Sequence, residues 1–196
     1  MDKKPLVMII LDGFGIGTPD EHNAIHVANT PELDKLMASC PNTIIAASGE
    51  DVGLPVGQVG NSEVGHMNIG AGRVIYQDLS VIMDQISDGR FYANKTYNDV
   101  LDYCSDNDVR LHLMGLLSDG GVHSHIDILY ALMEMAKKHE LSRVFIHAFL
   151  DGRDVGPTTG LDYVRSCVEK CAELDIGKIA TVMGRFYSMD RDRRWA

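Results

Sequence analysis

The sequence has no long apolar run. Its longest, Leu6 to Leu11, is far short of the ~20 residues that span a bilayer. Lys3 and Lys4 precede that run as a signal peptide's basic flank would, but the stretch is too short and no small-residue cleavage site follows, so it reads as part of a fold. Cysteine is scarce. Cys40, Cys104, Cys167 and Cys171 do not make a disulfide framework in a chain of 196 residues, and Cys167 and Cys171, four apart in a helical pattern, read as helix packing. Basic residues are outnumbered, 18 Lys and Arg against 28 Asp and Glu, for a net charge of −10. That argues against nucleic acid or an anionic membrane as partner, since both demand a basic face. It leaves room for a small anion gripped by a few local arginines. Asn94-Lys95-Thr96 matches a glycosylation sequon, but nothing else points to secretion; a reduced, cytoplasmic, soluble protein is the expectation. At about 150 residues per domain the length allows one to one and a half domains, enough to bury a core without covalent staples.

What is present is an alternation of strand and helix. Leu6–Leu11 is continuously apolar and ends in Asp12-Gly-Phe-Gly-Ile-Gly17, which predicts a strand buried on both faces. Thr30-Pro31-Glu32 opens a helix with a threonine cap, proline at the first position and an acid in the first turn. Residues 42–47 predict a second strand. Residues 49–72 are glycine-rich and aperiodic, with one short helical turn starting at Ser62. Beyond them the pattern is cleaner: strand 109–117, helix 125–139, strand 144–150, helix 158–174 and strand 178–183. This β-α-β-α-β order implies an α/β fold of parallel strands joined by right-handed crossovers. The polar, aspartate-rich stretch 76–100 marks the expected join between two modules, 1–76 and 77–196.

Ligands of open parallel sheets bind beyond the carboxyl ends of the strands, and each predicted strand end here carries a polar cluster. The first delivers Asp12. The next delivers Ser118-Asp-Gly-Gly-Val-His-Ser-His125, then comes Asp151-Gly-Arg-Asp154, then Gly184-Arg185 with Arg191, Arg193 and Arg194 close behind. One such cluster would be ordinary turn chemistry; several, with histidine and arginine among them, point to a site. Arg153, Arg185 and Arg191 offer planar forks suited to phosphate or carboxylate, so the ligand class is a small anion with two or more negative groups. Arg193 and Arg194 also fit a solvated, salt-bridged face.

The stretch Gly60-Asn-Ser-Glu-Val-Gly-His-Met-Asn-Ile-Gly-Ala-Gly-Arg73 sets Ser62 just before a possible helix start. There it is either a helix cap or a nucleophile beside a ready-made anion site. It misses the Gly-x-Ser-x-Gly elbow by one residue, and no Gly-Lys-Ser/Thr phosphate loop follows. A serine with no histidine base beside it can still be activated by a metal, for which Asp12 is a plausible oxygen ligand; hard donors suit Mn²⁺ or Mg²⁺, and Zn²⁺ if histidines join. His66 reads as a packed structural histidine, His112 and His147 as satisfied core residues, His125 as the start of the following helix, and Met67, Met83, Met133 and Met135 as core filler.

Together, Ile10-Leu-Asp-Gly-Phe-Gly15, Gly60-Asn-Ser-Glu-Val-Gly-His-Met-Asn68, Ser118–His125, Asp151-Gly-Arg-Asp154 and Gly184-Arg-Phe-Tyr-Ser-Met-Asp-Arg191 resemble cofactor-independent phosphoglycerate mutase of the alkaline phosphatase superfamily. The resemblance covers essentially the whole chain, with five motifs in the family's order. It implies three-layer α/β/α modules: the start of a metal-binding, phosphatase-like domain over 1–76 and of a phosphoglycerate-holding transferase domain over 77–196, both incomplete. It also implies interconversion of 3-phosphoglycerate and 2-phosphoglycerate through a phosphoserine. Ser62 matches the nucleophile, and Asp12 and Ser62 match ligands of one of two manganese ions. His123, Arg153, Asp154, Arg185 and Arg191 match the residues that hold substrate, and Asp154 also matches the group that handles the glycerate hydroxyl proton. The complete enzyme is expected to be a monomer, with no nucleic-acid or membrane partner.

Physical chemistry agrees with those roles, since phosphoryl transfer needs charge neutralisation and alignment above all. Retaining glycerate needs a closed site, and a join near 76–100 suits a hinge. Length is the departure. The family's proteins are more than twice as long, and their remaining metal ligands lie in the part not present here, so the isolated chain is expected to be inactive or nearly so. Two alternatives stand beside this reading: another metal-dependent phosphoryl-transfer enzyme of the superfamily, such as a phosphopentomutase or a phosphatase, or a non-catalytic, anion-binding fragment.

Overall fold

A computed structural model describes residues 4–193, which leaves Lys3 and Arg194 outside the described residues. The chain divides into two compact units: the chain up to Gly53 together with Val59–Ile75, and Leu54–Gln58 together with the chain from Tyr76 onward.

The first unit holds α1 (Ala24–Val27), α2 (Pro31–Ser39), a 3-10 turn at Gly49–Val52, and α3 (Ser62–Ala71). Pro31 opens α2 as expected, but the Thr30 hydroxyl donates to the Asp34 carboxylate at 3.1 Å and leaves the helix N–H groups uncapped. The two strands expected here do not form. Residues 6–11 and 42–47 are irregular, and Leu6 is 93% exposed. The physical reason is pairing: a strand persists only where a neighbour completes its ladder, and among the described residues of this unit none does. Val52 and Val64 are its buried side chains.

The second unit is α/β with a parallel sheet. After α4 (Asp78–Asp88) and α5 (Lys95–Asp106) come β1 (Leu111–Leu117), α6 (Ile126–Lys138), β2 (Val144–Leu150), α7 (Gly160–Leu174), β3 (Lys178–Gly184) and the short α8 (Arg185–Ser188). The sheet order is β1-β2-β3, all parallel, with Leu111 opposite Val144 and Leu150 opposite Gly184. Residues 76–100, read as a polar join, carry α4 and the start of α5. Asn94 of the sequon caps α5, its side chain accepting from Thr96 N–H and Tyr97 N–H.

The core lies on one face of this sheet. Val144, Ile146 and Ala148 of β2 meet Ala131, Met133, Met135 and Ala136 of α6 and Cys167 of α7, all buried. Both crossovers run the same way along the sheet, and a constant right hand puts both helices on that face. The opposite face is less covered, with Leu116 buried but Met114 69% exposed. There His112, expected in the core, is exposed; its Nδ1 lies 2.9 Å from His147 Nε2, and His147 Nδ1 lies 2.8 Å from the Thr181 hydroxyl. Period-2 alternation in β1 and β2 placed these histidines opposite the buried apolar residues. Met133 and Met135 are buried as expected, whereas Met67, on α3, is partly exposed.

Candidate functional site

Two polar clusters form, one in each unit. In the first, the Asn61 side chain caps α3 by accepting from Val64 N–H at 3.1 Å, so Ser62 is the first helical residue and not its cap. The cap aims the Ser62 hydroxyl out of the helix start, where it donates to the Asp12 carboxylate at 2.6 Å. His66, one turn along, is exposed rather than packed. Its Nδ1 lies 2.7 Å from the Ser62 carbonyl and 3.2 Å from the Ser62 hydroxyl. A carbonyl only accepts, so Nδ1 carries the proton and cannot also take one from Ser62. The acceptor for the serine proton is therefore Asp12. Asn68 braces the loop, donating to the Val52 carbonyl at 3.0 Å and accepting from Ile75 N–H at 2.7 Å. An open cleft of about 920 Å³ runs past Asp12, Asn61, Ser62, His66 and Arg73.

Asp12 and Ser62 supply hard oxygen donors in contact, the right kind for a divalent cation. They are two, however, and among the described residues no three His, Cys, Asp or Glu side chains gather as a metal would need. This chain's residues fit part of a coordination shell.

The second cluster sits beyond the carboxyl ends of the parallel strands. Ser118, which follows β1, and Asp151, which follows β2, are both buried, and the Ser118 hydroxyl donates to Asp151 Oδ2 at 2.6 Å. Asp151 Oδ1 accepts from Arg153 N–H at 3.1 Å and Asp154 N–H at 3.0 Å. Arg185, following β3, donates its Nη1 to Asp151 Oδ1 at 2.6 Å and to Asp154 Oδ2 at 2.7 Å. Burial by itself would raise the Asp151 carboxyl; the Ser118 hydroxyl, the N–H groups of Asp154 and Arg153, and Arg185 together hold it below its ordinary value. The Arg185 guanidinium is raised, first by its bond to Asp154. His123 Nε2 stands 3.9 Å from Asp154 Oδ2. Tyr163 of α7 donates its hydroxyl to Asp119; that bond, and then burial, push the phenol up to about 12.

Of the predicted site residues, Asp12 and Ser62 meet in one cluster, and His123, Asp154 and Arg185 meet in the other. Arg153 joins through its backbone N–H, with its side chain exposed. Arg191 lies exposed beyond α8, outside the bonded group. Sequence reasoning gave no role to Ser118, Asn61, Asn68 or Tyr163. A buried serine leaves no mark that separates it from a turn serine, and Tyr163 merely continues a helical repeat; Asn61, directly ahead of an acidic first turn, was a readable cap.

Comparison with known proteins adds the family. Residues 82–196, more than half of the chain, match the family model described as BPG-independent PGAM N-terminus. The chain belongs to this family. The 2,3-bisphosphoglycerate-independent phosphoglycerate mutase of Clostridium perfringens is 53% identical over 195 residues, covering all of this chain and 38% of the relative. That of Methanococcoides burtonii is 55% identical over 193 residues, 98% of this chain and 37% of the relative. Among solved structures, the phosphoglycerate mutase of Leishmania mexicana, determined at low cobalt concentration, superposes with a TM-score of 0.70 at 37% identity over 91% of this chain and 34% of that one. The chain thus spans well under half the length of the phosphoglycerate mutases it matches.

Proposed function

We propose that this chain is the N-terminal portion of a phosphoglycerate mutase that interconverts 3-phosphoglycerate and 2-phosphoglycerate, in glycolysis and gluconeogenesis in the cytoplasm, by way of a phosphoserine at Ser62. The observation that carries this reading is the Ser62 hydroxyl, set by Asn61 at the start of α3 and bonded to Asp12 at 2.6 Å. In this reading residues 1–76 begin the phosphatase-like domain and 77–196 the domain that holds the phosphoglycerate, and the complete enzyme is a monomer.

Asp12 and Ser62 would be two ligands of a divalent cation, Mn²⁺ in our reading, which when bound lowers the pKa of the serine hydroxyl. Asp12 orients the hydroxyl by accepting its hydrogen bond. Ser62 Oγ passes its proton to Asp12 and forms a bond to phosphorus as the bond from phosphorus to the glycerate oxygen breaks, and Asp154 gives that oxygen its proton. In the return step Asp154 takes the proton of the other glycerate hydroxyl, which attacks the phosphoserine and frees Ser62, whose oxygen takes its proton back from Asp12. Arg153, Arg185 and Arg191, with His123, grip the carboxylate and phosphate; Arg185 has guanidinium N–H groups to spare beyond those of the Nη1 nitrogen that its two carboxylates share. The arginine and aspartate cluster favours phosphoglycerate over the sugar phosphate of a phosphopentomutase.

A second reading applies to the 196-residue chain by itself, that of an inactive fragment. The exposed Leu6–Leu11 run and the two-donor metal set both favour it. Assay of the complete enzyme and of this chain, with phosphoglycerates and with ribose phosphates, tests both. Turnover of phosphoglycerate by the complete enzyme and none by the fragment is expected. A complete enzyme that turned over ribose phosphates and not phosphoglycerate would overturn the proposal.

A further inference from the structure

We propose that Asp151 is a positioning residue of the substrate-holding cluster, and that Ser118 acts through it. The inference rests on the mutase reading above. Asp151 accepts from four donors: the Ser118 hydroxyl on Oδ2, and Arg153 N–H, Asp154 N–H and Arg185 Nη1, all three on Oδ1. Its side chain is 1% exposed. Buried behind those donors, it lacks the access to touch substrate or carry its protons. Asp154 differs: its side chain is 13% exposed, it bonds Arg185 through one oxygen, and His123 stands beside it at 3.9 Å.

One arginine nitrogen thus has two carboxylate partners of different character. Asp151 is a fixed anchor behind Arg185, and Asp154 is the partner free to exchange when an anion arrives. The same Asp151 oxygen holds the backbone of Arg153 and Asp154, so one buried charge sets the positions of three residues in the anion grip. Ser118 reaches none of them. It locks the second Asp151 oxygen, and its own oxygen accepts from Gly120 N–H at 3.3 Å, which ties the loop after β1 to the loop after β2. The titratable groups that interact with Asp151 are Arg185 at the start of α8 and Tyr163 from α7, with Asp154 joined to it through Arg185.

The test uses the complete enzyme. Asp151→Asn keeps shape and removes the charge that anchors Arg185, so KM for phosphoglycerate should rise about tenfold, with kcat at saturating substrate changed by about twofold or less, the pattern of lost uniform binding. Ser118→Ala should raise KM in the same direction by a smaller factor. In the double variant it should add nothing to Asp151→Asn, because its route to the site is gone; a merely structural serine would add its full effect. An unchanged KM in Asp151→Asn, a loss confined to kcat, or additive effects would overturn the assignment. If Asp151→Asn does not fold, Ser118→Ala decides: a KM rise of a fewfold with kcat kept supports the anchor, and an unchanged KM overturns it. Ser62→Ala separates this claim from the one beneath it. A Ser62→Ala enzyme that still turns over defeats the mutase reading whatever Asp151 does.

Discussion

Ser62 and Asp151 show two uses of the same contact, an alcohol donating to a carboxylate at 2.6 Å. Ser62 and Asp12 are exposed, and their bond leaves the serine oxygen open to a reaction partner. Ser118 and Asp151 are buried, and theirs closes a scaffold. The difference in burial has a pH consequence. Asp151 is held below its ordinary value of 3.8, so the stability it contributes is fully present above that pH and is lost as pH falls below it toward the folded-state value. Urea titrations of the 196-residue chain between about pH 2 and pH 6 should show that loss, and Asp151→Asn should flatten it. Identical acid profiles for the two proteins would contradict the assignment. Cysteine reactivity follows the same logic. Cys167 is buried and its thiol is pushed up to about 12 by burial and then by Cys171, while Cys40 is exposed. Alkylation of the native chain mapped by mass spectrometry should mark Cys40 first and spare Cys167 until urea is added; early labelling of Cys167 would contradict its place in the core.

At the scale of elements, β2 and α6 carry the second unit. Met133 is wholly buried between helix and sheet, so Met133→Ala should destabilise the chain by about 2–5 kcal/mol in chemical denaturation; a loss below about 1 kcal/mol would mean the site collapses freely. The loop after β2 depends on Gly152, whose φ of +83° is strained for other residues, and a Cβ on Gly120 would come within 3.0 Å of Asp154 Cβ. These elements were readable in the sequence because their apolar periodicity is strong: β1, β2, β3, α6 and α7 all fall within two residues of their expected bounds. The strands at 6–11 and 42–47 were read from equally apolar runs and do not form. Apolarity says that a segment can be buried, but pairing needs a neighbour, and no local pattern records whether one exists. α4 and α5 were overlooked for the opposite reason: Tyr76 to Val100 is polar enough to read as a join, while Ile82 and Ile86 in α4, four apart, and Leu101 and Cys104 in α5, three apart, are apolar and pack inward. In the site, residues with distinctive chemistry at strand ends were legible, and the buried serine and the bracing asparagines were not.

Across the whole molecule, the two units differ in how much they bury. The second has two buried apolar clusters bridged by Leu113 and Leu174, whereas the first buries Val52 and Val64 and exposes Leu6, Ile9, Ile44 and Ile45. Native-state hydrogen exchange on the 196-residue chain should find β2 and α6 the slowest, with residues 6–11 and 42–47 exchanging almost at once. Protection of 6–11 equal to that of β2 would show a strand that the structure lacks. The chain spans 38% of its Clostridium perfringens relative, so chemistry is best tested in the complete enzyme. There, one measurement bears most directly on the account: mass spectrometry of the enzyme quenched during turnover of phosphoglycerate, with peptide mapping. One added phosphoryl group is expected, on Ser62 and absent from the Ser62→Ala enzyme. Turnover with no phosphate ever found on Ser62, or with phosphate on another side chain, would contradict it.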